Sequence, residues 1–390
     1  MCTLLPNFKN WKVIEFMDEK TTDLKVMFDE LEDPRIARHR LYPLGEIFFL
    51  VLCAVLIGIT SWRGVETFGL ERLEWLRKFK PFKEGIPSHQ TIGRVFSLVK
   101  PRILEVAFIQ FMSAATGKPP NQIVALDGKT LRGSFDKAIG QKPLHLLNAC
   151  AIKNGIALGQ VLVDSKTNEI TAVPELLDML DLQAATITTD ALNTQKNIAE
   201  KIVNSKNDYV LPVKDNHKNL RSEIEEKFNA APLNQRDPNS FKVTTEKGHG
   251  RIDEREYRVL GIEELTEILK WTGVKSIGMA TTTSIRGEKT SSETRYYIMS
   301  FLPDVERFSE AARGHWGVEN ALHWTLDVTF REDGSRVRKD HAPENFSLVR
   351  KLALNILRSE SSIKKSIPQK MIKAALSKEY HELLLRLTGF

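Results

Sequence analysis

The chain has 390 residues, 42% hydrophobic and 27% charged, with 56 Lys and Arg against 50 Asp and Glu and a net charge of +6. That composition describes a soluble globular chain of roughly two or three domains and excludes disorder as its general state. The opening MCTLLPNFKNWKVIEFMDEK has no continuous apolar stretch before its charges begin, so no secretory leader is expected, and the cytoplasm is the expected location.

In chain order, residues 1–118 read as helical. The most apolar run, Ile47 to Thr60 (IFFLVLCAVLIGIT), is 14 residues. As a helix it would span about 21 Å against the roughly 30 Å of a hydrocarbon layer, so it reads as a buried helix. Val65 to Phe79 has apolar positions at helical spacing. A Pro- and Gly-bearing segment, 81–87, then leads to Ser88, placed to cap a short helix through Phe96. Two helices and a tight turn, the second opening SHQTIGRVF, would suit a helix-turn-helix reader of DNA, although helical bundles that bind no DNA carry the same pattern. Cys2, Cys53 and Cys150 lie far apart with no CxxC spacing, which excludes a disulfide framework and a thiolate zinc site.

Pro119-Pro120 opens a different region. Short stretches rich in β-branched residues, 123–126, 145–152, 157–163, 186–189 and 208–213, read as strands, with helices over 173–180 and 194–203. Three strands followed by alternating helix and strand predict a mixed α/β sheet of the ribonuclease-H-like kind. Residues 215–300 read as a β-rich insertion, with strands over 276–284 and 294–300. Helices follow at 308–327, 345–358 and 370–387. Three regions result: a helical 1–118, a catalytic 119–330 with its insertion, and a basic helical 331–390.

Charge divides along the same lines. Residues 1–126 hold 17 Lys and Arg against 14 Asp and Glu, and 331–390 hold 13 against 7, which leaves the middle acidic at −3. Basic ends and an acidic centre suit an enzyme that binds phosphates with its arms and cations with its middle. Three acids in that middle stand where a metal site could form: Asp127 directly after the strand IVAL, Asp190 after TITT, and Glu319 within the late helix ARGHWGVENALHW. Aspartates at the ends of adjacent strands point into one crevice. Mg²⁺ favours such oxygen ligands, and two ions can activate the attacking oxygen and stabilise the leaving one in phosphodiester chemistry.

The segments VALDGKTLRGS, TTDALNTQ, KGHGRIDER, ETRYYIMS, RGHWGVENALHWTLDVTFRED and HAPENFSLVRKLALNILR, in this order, resemble the H-repeat-associated (ISAs-type) transposases of bacterial insertion sequences, a branch of the DDE transposases. The resemblance runs from about residue 20 to the C-terminus. It implies a ribonuclease-H-like fold with a β-rich insertion and Asp127, Asp190 and Glu319 as the catalytic, metal-binding triad, loaded with Mg²⁺ or Mn²⁺ and in all two ions. It also implies double-stranded DNA as the partner, both as element ends and as target, and a homo-oligomer in the DNA complex of a nucleoid-associated protein. A nuclease of the same fold, or a retired transposase that only binds DNA, are the other readings.

Spacings of 63 residues between the two aspartates and 129 from Asp190 to Glu319 leave room for the insertion. Related transposases carry Tyr, Arg, Glu and Lys around the last acid. Here Ala312, His315 and Leu326 replace the first, second and fourth, and Arg313 is a candidate phosphate contact in their stead. Steps of four place His315, Glu319, His323 and Asp327 on one helix face, which would also suit a transition metal; the other readings of His315 and His323 are that they position Glu319, touch DNA or pack the helix. Lys129 and Arg132 in the loop after Asp127, Lys214, His249 and Arg251 are further candidate phosphate ligands. Trp316 and Trp324 are candidates for base stacking or for core.

Overall fold

The computed structural model describes residues 23–390 except 118, 120, 137–139, 164–168, 232–238 and 249. His249 and Cys2 therefore lie outside the described residues. Five helices come first: α1 (Leu24–Glu30), α2 (Leu44–Leu56), α3 (Trp62–Leu76), α4 (His89–Leu98) and α5 (Pro101–Thr116). All residues of α2 are buried, the apolar run from Ile47 to Leu56 together with Glu46, whose Oε1 accepts from the Phe82 backbone N–H at 2.9 Å, and among the described residues no helix is long and apolar enough to cross a membrane. Ser88 caps α4, its Oγ accepting from the Thr91 amide at 3.3 Å. Residues 77–88 join α3 to α4, a longer connection than the three or four residues of a helix-turn-helix, so the tight turn expected from the sequence is not formed.

Nine strands form one sheet: β1 (Ile123–Leu131), β2 (Leu144–Ala151), β3 (Ile156–Val163), β4 (Thr186–Thr188), β5 (Asp208–Val213), β6 (Phe241–Gly248), β7 (Arg251–Gly261), β8 (Ser276–Arg286) and β9 (Lys289–Met299). Their order is β3-β2-β1-β4-β5-β9-β8-β7-β6. The first three pair antiparallel, β1, β4 and β5 run parallel, and β9 returns antiparallel on β5. The mixed α/β architecture expected of a ribonuclease-H-like core is present. The insertion extends the sheet as an antiparallel meander of β9, β8, β7 and β6. It also contains α8 (Lys218–Ala230), reached through α6 (Glu169–Leu180) and α7 (Lys196–Asn204). Helix α8 was absent from the sequence reading, although Leu220, Ile224 and Phe228 recur every four residues and are its buried face.

Helix α9 (Val305–Val318) crosses one face of the sheet and shares a core with it through Phe308, Tyr257, Tyr297 and Met299. Gly278 of β8 permits this, because a Cβ there would stand 2.6 Å from the Phe308 ring. The main core lies with the remaining helices. A π-helical turn, Glu319–His323, leads from α9 into α10 (Trp324–Val328). The chain ends in α11 (Ala342–Ser359), α12 (Ile367–Leu376) and α13 (Lys378–Arg386).

Helix α11 packs on α2, α4, α5 and β3, and Asn345 donates to the carbonyls of Phe96 (2.9 Å) and Val99 (2.8 Å) at the end of α4. The two ends of the chain thus meet. Their positive charge is only partly presented to solvent, since Arg350, Lys351 and Lys370 are buried. Lys351 donates to Gln160 and Ser347, and Lys370 to the Leu357 carbonyl.

Candidate active site

Asp127 sits within β1 rather than at its end, and Lys129 is likewise in the strand rather than in a loop. The Asp-Gly pair resembles a turn in sequence, but β1 continues to Leu131 on its β2 side. On the other side the parallel ladder with β4 stops at Ala125 opposite Thr188. Two residues further along each chain stand Asp127 and Asp190, on the same pleat direction and beyond the last parallel pair. Gly128 has another role: a Cβ there would fall 2.1 Å from Glu169 Oε1, so glycine lets that carboxylate approach the strand.

Glu169, at the start of α6, is the residue that sequence reading missed. Its Oε1 lies 2.6 Å from His145 Nε2 on β2, and its Oε2 accepts from Asn193 Nδ2 at 2.7 Å. The same Asn193 amide donates to Asp190 Oδ1 at 2.9 Å, and the Asn193 backbone N–H donates there at 3.0 Å. Asn193 therefore holds Asp190 from two directions and ties it to Glu169. An acid opening a helix reads as a routine helix-start residue, so nothing local distinguished Glu169.

Burial and the neighbouring carboxylates of Asp190, Glu169 and Glu319 push the Asp127 carboxyl up to about 7. Asp190 is raised mainly by burial, with Glu169 adding to it, while Asn193 and the Lys214 charge pull the other way. Glu169 ends lower than usual, because hydrogen bonds from His145 and Asn193 outweigh its burial. Acids that repel one another across a partly buried cleft form an electrostatic trap for a divalent cation. Among the described residues, no three His, Cys, Asp or Glu side chains converge tightly enough to ligate one ion as they stand.

The helical stretch that carries Glu319 departs from the sequence expectation. The π turn, in which the Trp324 N–H donates to the Glu319 carbonyl, takes an extra residue into the helix and breaks the four-residue stepping. Glu319 is exposed, whereas His323 is buried with Nδ1 3.4 Å from Asp127 Oδ2. Burial, with the charges of Lys129 and Lys351, lowers His323 to about 4, so its ring is neutral. His315 is lowered to about 4 by burial, and among the described residues its Nδ1 has no hydrogen-bond partner. Trp316 and Trp324 are both exposed, and the Arg295 guanidinium lies 3.6 Å over the Trp316 ring.

The basic candidates are dispersed. The Lys129 ammonium is buried and faces Asp327 (2.6 Å), Glu332 (3.3 Å) and Asp333 (3.5 Å), so its charge is committed to the fold rather than open to phosphate. Arg132 is exposed beside Asp333 at 3.5 Å. Lys214 is exposed and close enough to act on Asp190. Arg251 pairs with Asp253 at 2.8 Å, and Arg313 forms a two-pronged contact with Glu246 at 3.0 and 2.9 Å.

Replacing Asn193 with Ala is expected to lower the affinity of the Asp127 and Asp190 carboxylates for a divalent cation about 10- to 100-fold without unfolding the protein, the usual effect of losing a partner that orients a ligand. Metal titration of the variant measures it, and unchanged affinity would show that Asp190 needs no such support.

The chain is similar to known proteins along most of its length. Residues 26–112 match the family DDE_Tnp_1-associated and residues 118–356 match the Transposase DDE domain. A "Putative transposase YncI" of Escherichia coli O157:H7 is 42% identical, over 88% of this chain and 89% of that protein. An "H repeat-associated putative transposase YhhI" of Escherichia coli (strain K12) is 38% identical, over 89% and 93%. A solved piggyBac transposase synaptic complex with hairpin DNA aligns over 95% of this chain and 79% of that one, at 12% identity and a TM-score of 0.41. With the Transposase DDE domain matching residues 118–356 and relatives 38–42% identical along most of its length, the chain belongs to the DDE transposase family.

Proposed function

We propose that this protein is the transposase of an insertion sequence, cutting DNA at the element's terminal inverted repeats and joining the freed 3′-hydroxyl to target DNA. The observation that carries the reading is the placement of Asp127 and Asp190 side by side past the last parallel pair, with Glu319 close enough to act on Asp127. In this proposal the three regions, 1–118, 119–330 and 331–390, divide DNA binding and chemistry among themselves.

Asp127, Asp190 and Glu319 are the residues that would hold Mg²⁺ or Mn²⁺, in this reading two ions. Their all-carboxylate donor set and mutual repulsion fit a hard divalent cation. Bound there, the metal supplies a deprotonated oxygen nucleophile and charge stabilisation for the leaving oxygen. Asn193 keeps Asp190 oriented, and Glu169 keeps Asn193 in place. His323, neutral beside Asp127, restricts that carboxylate without a competing positive charge. Glu319, on the π turn and exposed, is free to turn toward the aspartates. Lys214 beside Asp190 and the exposed Arg132 are positioned for phosphate oxygens. Two copies of the chain would hold the two element ends together.

The test is incubation with a duplex bearing the element's end, a supercoiled target and Mg²⁺ or Mn²⁺. Joined product is expected. Cleavage without joining would make the protein a nuclease, and binding without cleavage would leave it a DNA-binding protein alone.

A further inference from the structure

Away from the carboxylates, α4 and the segment 336–340 enclose a groove with a cavity of about 560 Å³. We propose that this groove seats the sugar–phosphate backbone of the DNA strand leading to Asp127 and Asp190. The inference rests on the reading of the protein as an enzyme acting on DNA and gives that DNA a place.

Three cations line the groove: Arg94 from α4, and Arg336 and Lys339 from the opposite wall. All three are exposed, and among the described residues none forms an ion pair or a side-chain hydrogen bond. That contrasts with Lys129, Arg251 and Arg313, whose charges are met by carboxylates. The acids Asp136 and Asp340 also line the cavity, but Arg338 adds a fourth cation, so the balance is positive. Unpaired guanidinium and ammonium groups on two facing walls match a row of phosphates.

The walls are fixed in place. Trp62 is held between Phe96 and Phe346, with ring centroids at 4.9 and 4.7 Å, and Gly93 lets α4 come close to it, since a Cβ there would stand 3.1 Å from the indole. Arg338 donates to the Gly133 carbonyl at 3.0 Å and lies 4.6 Å over the Phe135 ring. A Cβ on Gly133 would fall 2.1 Å from the Ser335 carbonyl, so the two segments are in direct backbone contact. The groove is thus anchored to the continuation of the strand that carries Asp127. Gly133 lies six residue steps along the chain from Asp127, at most about 20 Å at about 3.3 Å per residue. With one phosphate of each strand per about 3.4 Å of duplex axis, the point where the groove wall is anchored lies within about six nucleotides' length of Asp127.

The experiment uses the full chain with Arg94→Ala, Arg336→Ala and Lys339→Ala, combined and singly, and measures affinity for the element-end duplex between 50 and 200 mM salt. Each lost phosphate contact should make the slope of log K against log salt shallower by about 0.9, and the combined variant by about 2.7. A combined variant with the wild-type slope overturns the groove, as does a slope change in the singles that fails to accumulate. If the wild type cleaves in the joining assay while the slopes are unchanged, only the groove fails. If the wild type neither cleaves nor joins, the underlying reading fails with it.

Discussion

Asp127→Asn abolishes strand cleavage in this account, by at least about 10³-fold, equivalent to about 4 kcal/mol of lost transition-state stabilisation. The amide keeps the shape of the carboxylate but removes the charge a divalent ion needs, at the position where Asp190, Glu169 and Glu319 all act. The fold should not suffer. Removing one of several mutually repelling acids relieves strain in the metal-free protein, so the thermal midpoint of the variant should equal or exceed that of the wild type. Mg²⁺ should raise the wild-type midpoint, because an ion that binds only the folded state stabilises it by mass action, and should raise that of the variant far less. DNA affinity without metal should stay within about twofold, since one carboxylate is a minor term beside several phosphate contacts. A variant that cleaves normally would place the chemistry elsewhere. One that fails to bind DNA would show that Asp127 acts on assembly rather than catalysis.

Glu332→Gln should cost about 3–5 kcal/mol of folding stability, the penalty for leaving buried charges uncompensated. Glu332 is buried, with Lys129 Nζ at 3.3 Å, Arg350 Nη1 at 3.7 Å and the Ser347 hydroxyl donating at 2.8 Å. Burial alone would raise its carboxyl. The charges of Lys351, Lys129 and Arg350, with the Ser347 hydrogen bond, overcome that and hold it below its ordinary 4.5. A depressed carboxyl stabilises the fold above its unfolded value, so this contribution is present at neutral pH and is lost as the pH falls below about 4.5. Urea unfolding at pH 7 measures the loss, and a change under about 1 kcal/mol would show that the cations find other partners. The cluster joins β1 through Lys129, the segment after α10 through Glu332 and Asp333, and α11 through Arg350 and Lys351. Its failure should therefore also loosen the Asp127 strand against the helix that carries Glu319.

Much of the fold was legible because its signals are local. The β-branched stretches at 123–126, 186–189 and 208–213 mark the strands now seen as the parallel trio, and the apolar 47–60 run marks a buried helix, which ends at Leu56. The limits of β1 were not legible. Asp-Gly normally ends a strand, and only the Glu169 carboxylate packed against residue 128 explains why glycine stands there. Helix α8 had a readable four-residue repeat, obscured by the density of charge around it.

For the site, the sequence offered Asp127, Asp190 and Glu319 as candidates, two carboxylates after predicted strands and one in a late helix. Their surroundings could not be read there. Lys129 carries the same charge as an exposed phosphate ligand, and only long-range packing reveals that Asp327, Glu332 and Asp333 surround it. The π turn likewise depends on how α9 and α10 dock, so steps of four drawn on a regular helix misplaced His323 relative to Glu319.

The sequence by itself therefore determined the order of elements, because propensity and periodicity reside in individual residues and their neighbours, and the family, because the ordered segments from VALDGKTLRGS to HAPENFSLVRKLALNILR resemble its members. Which cations remain free for DNA, which are spent inside the protein, and how Glu169 and Asn193 brace the aspartates were decided only by the tertiary structure. Those properties depend on distances between residues far apart in the chain, and a few ångströms separate a phosphate ligand from a buried ion pair.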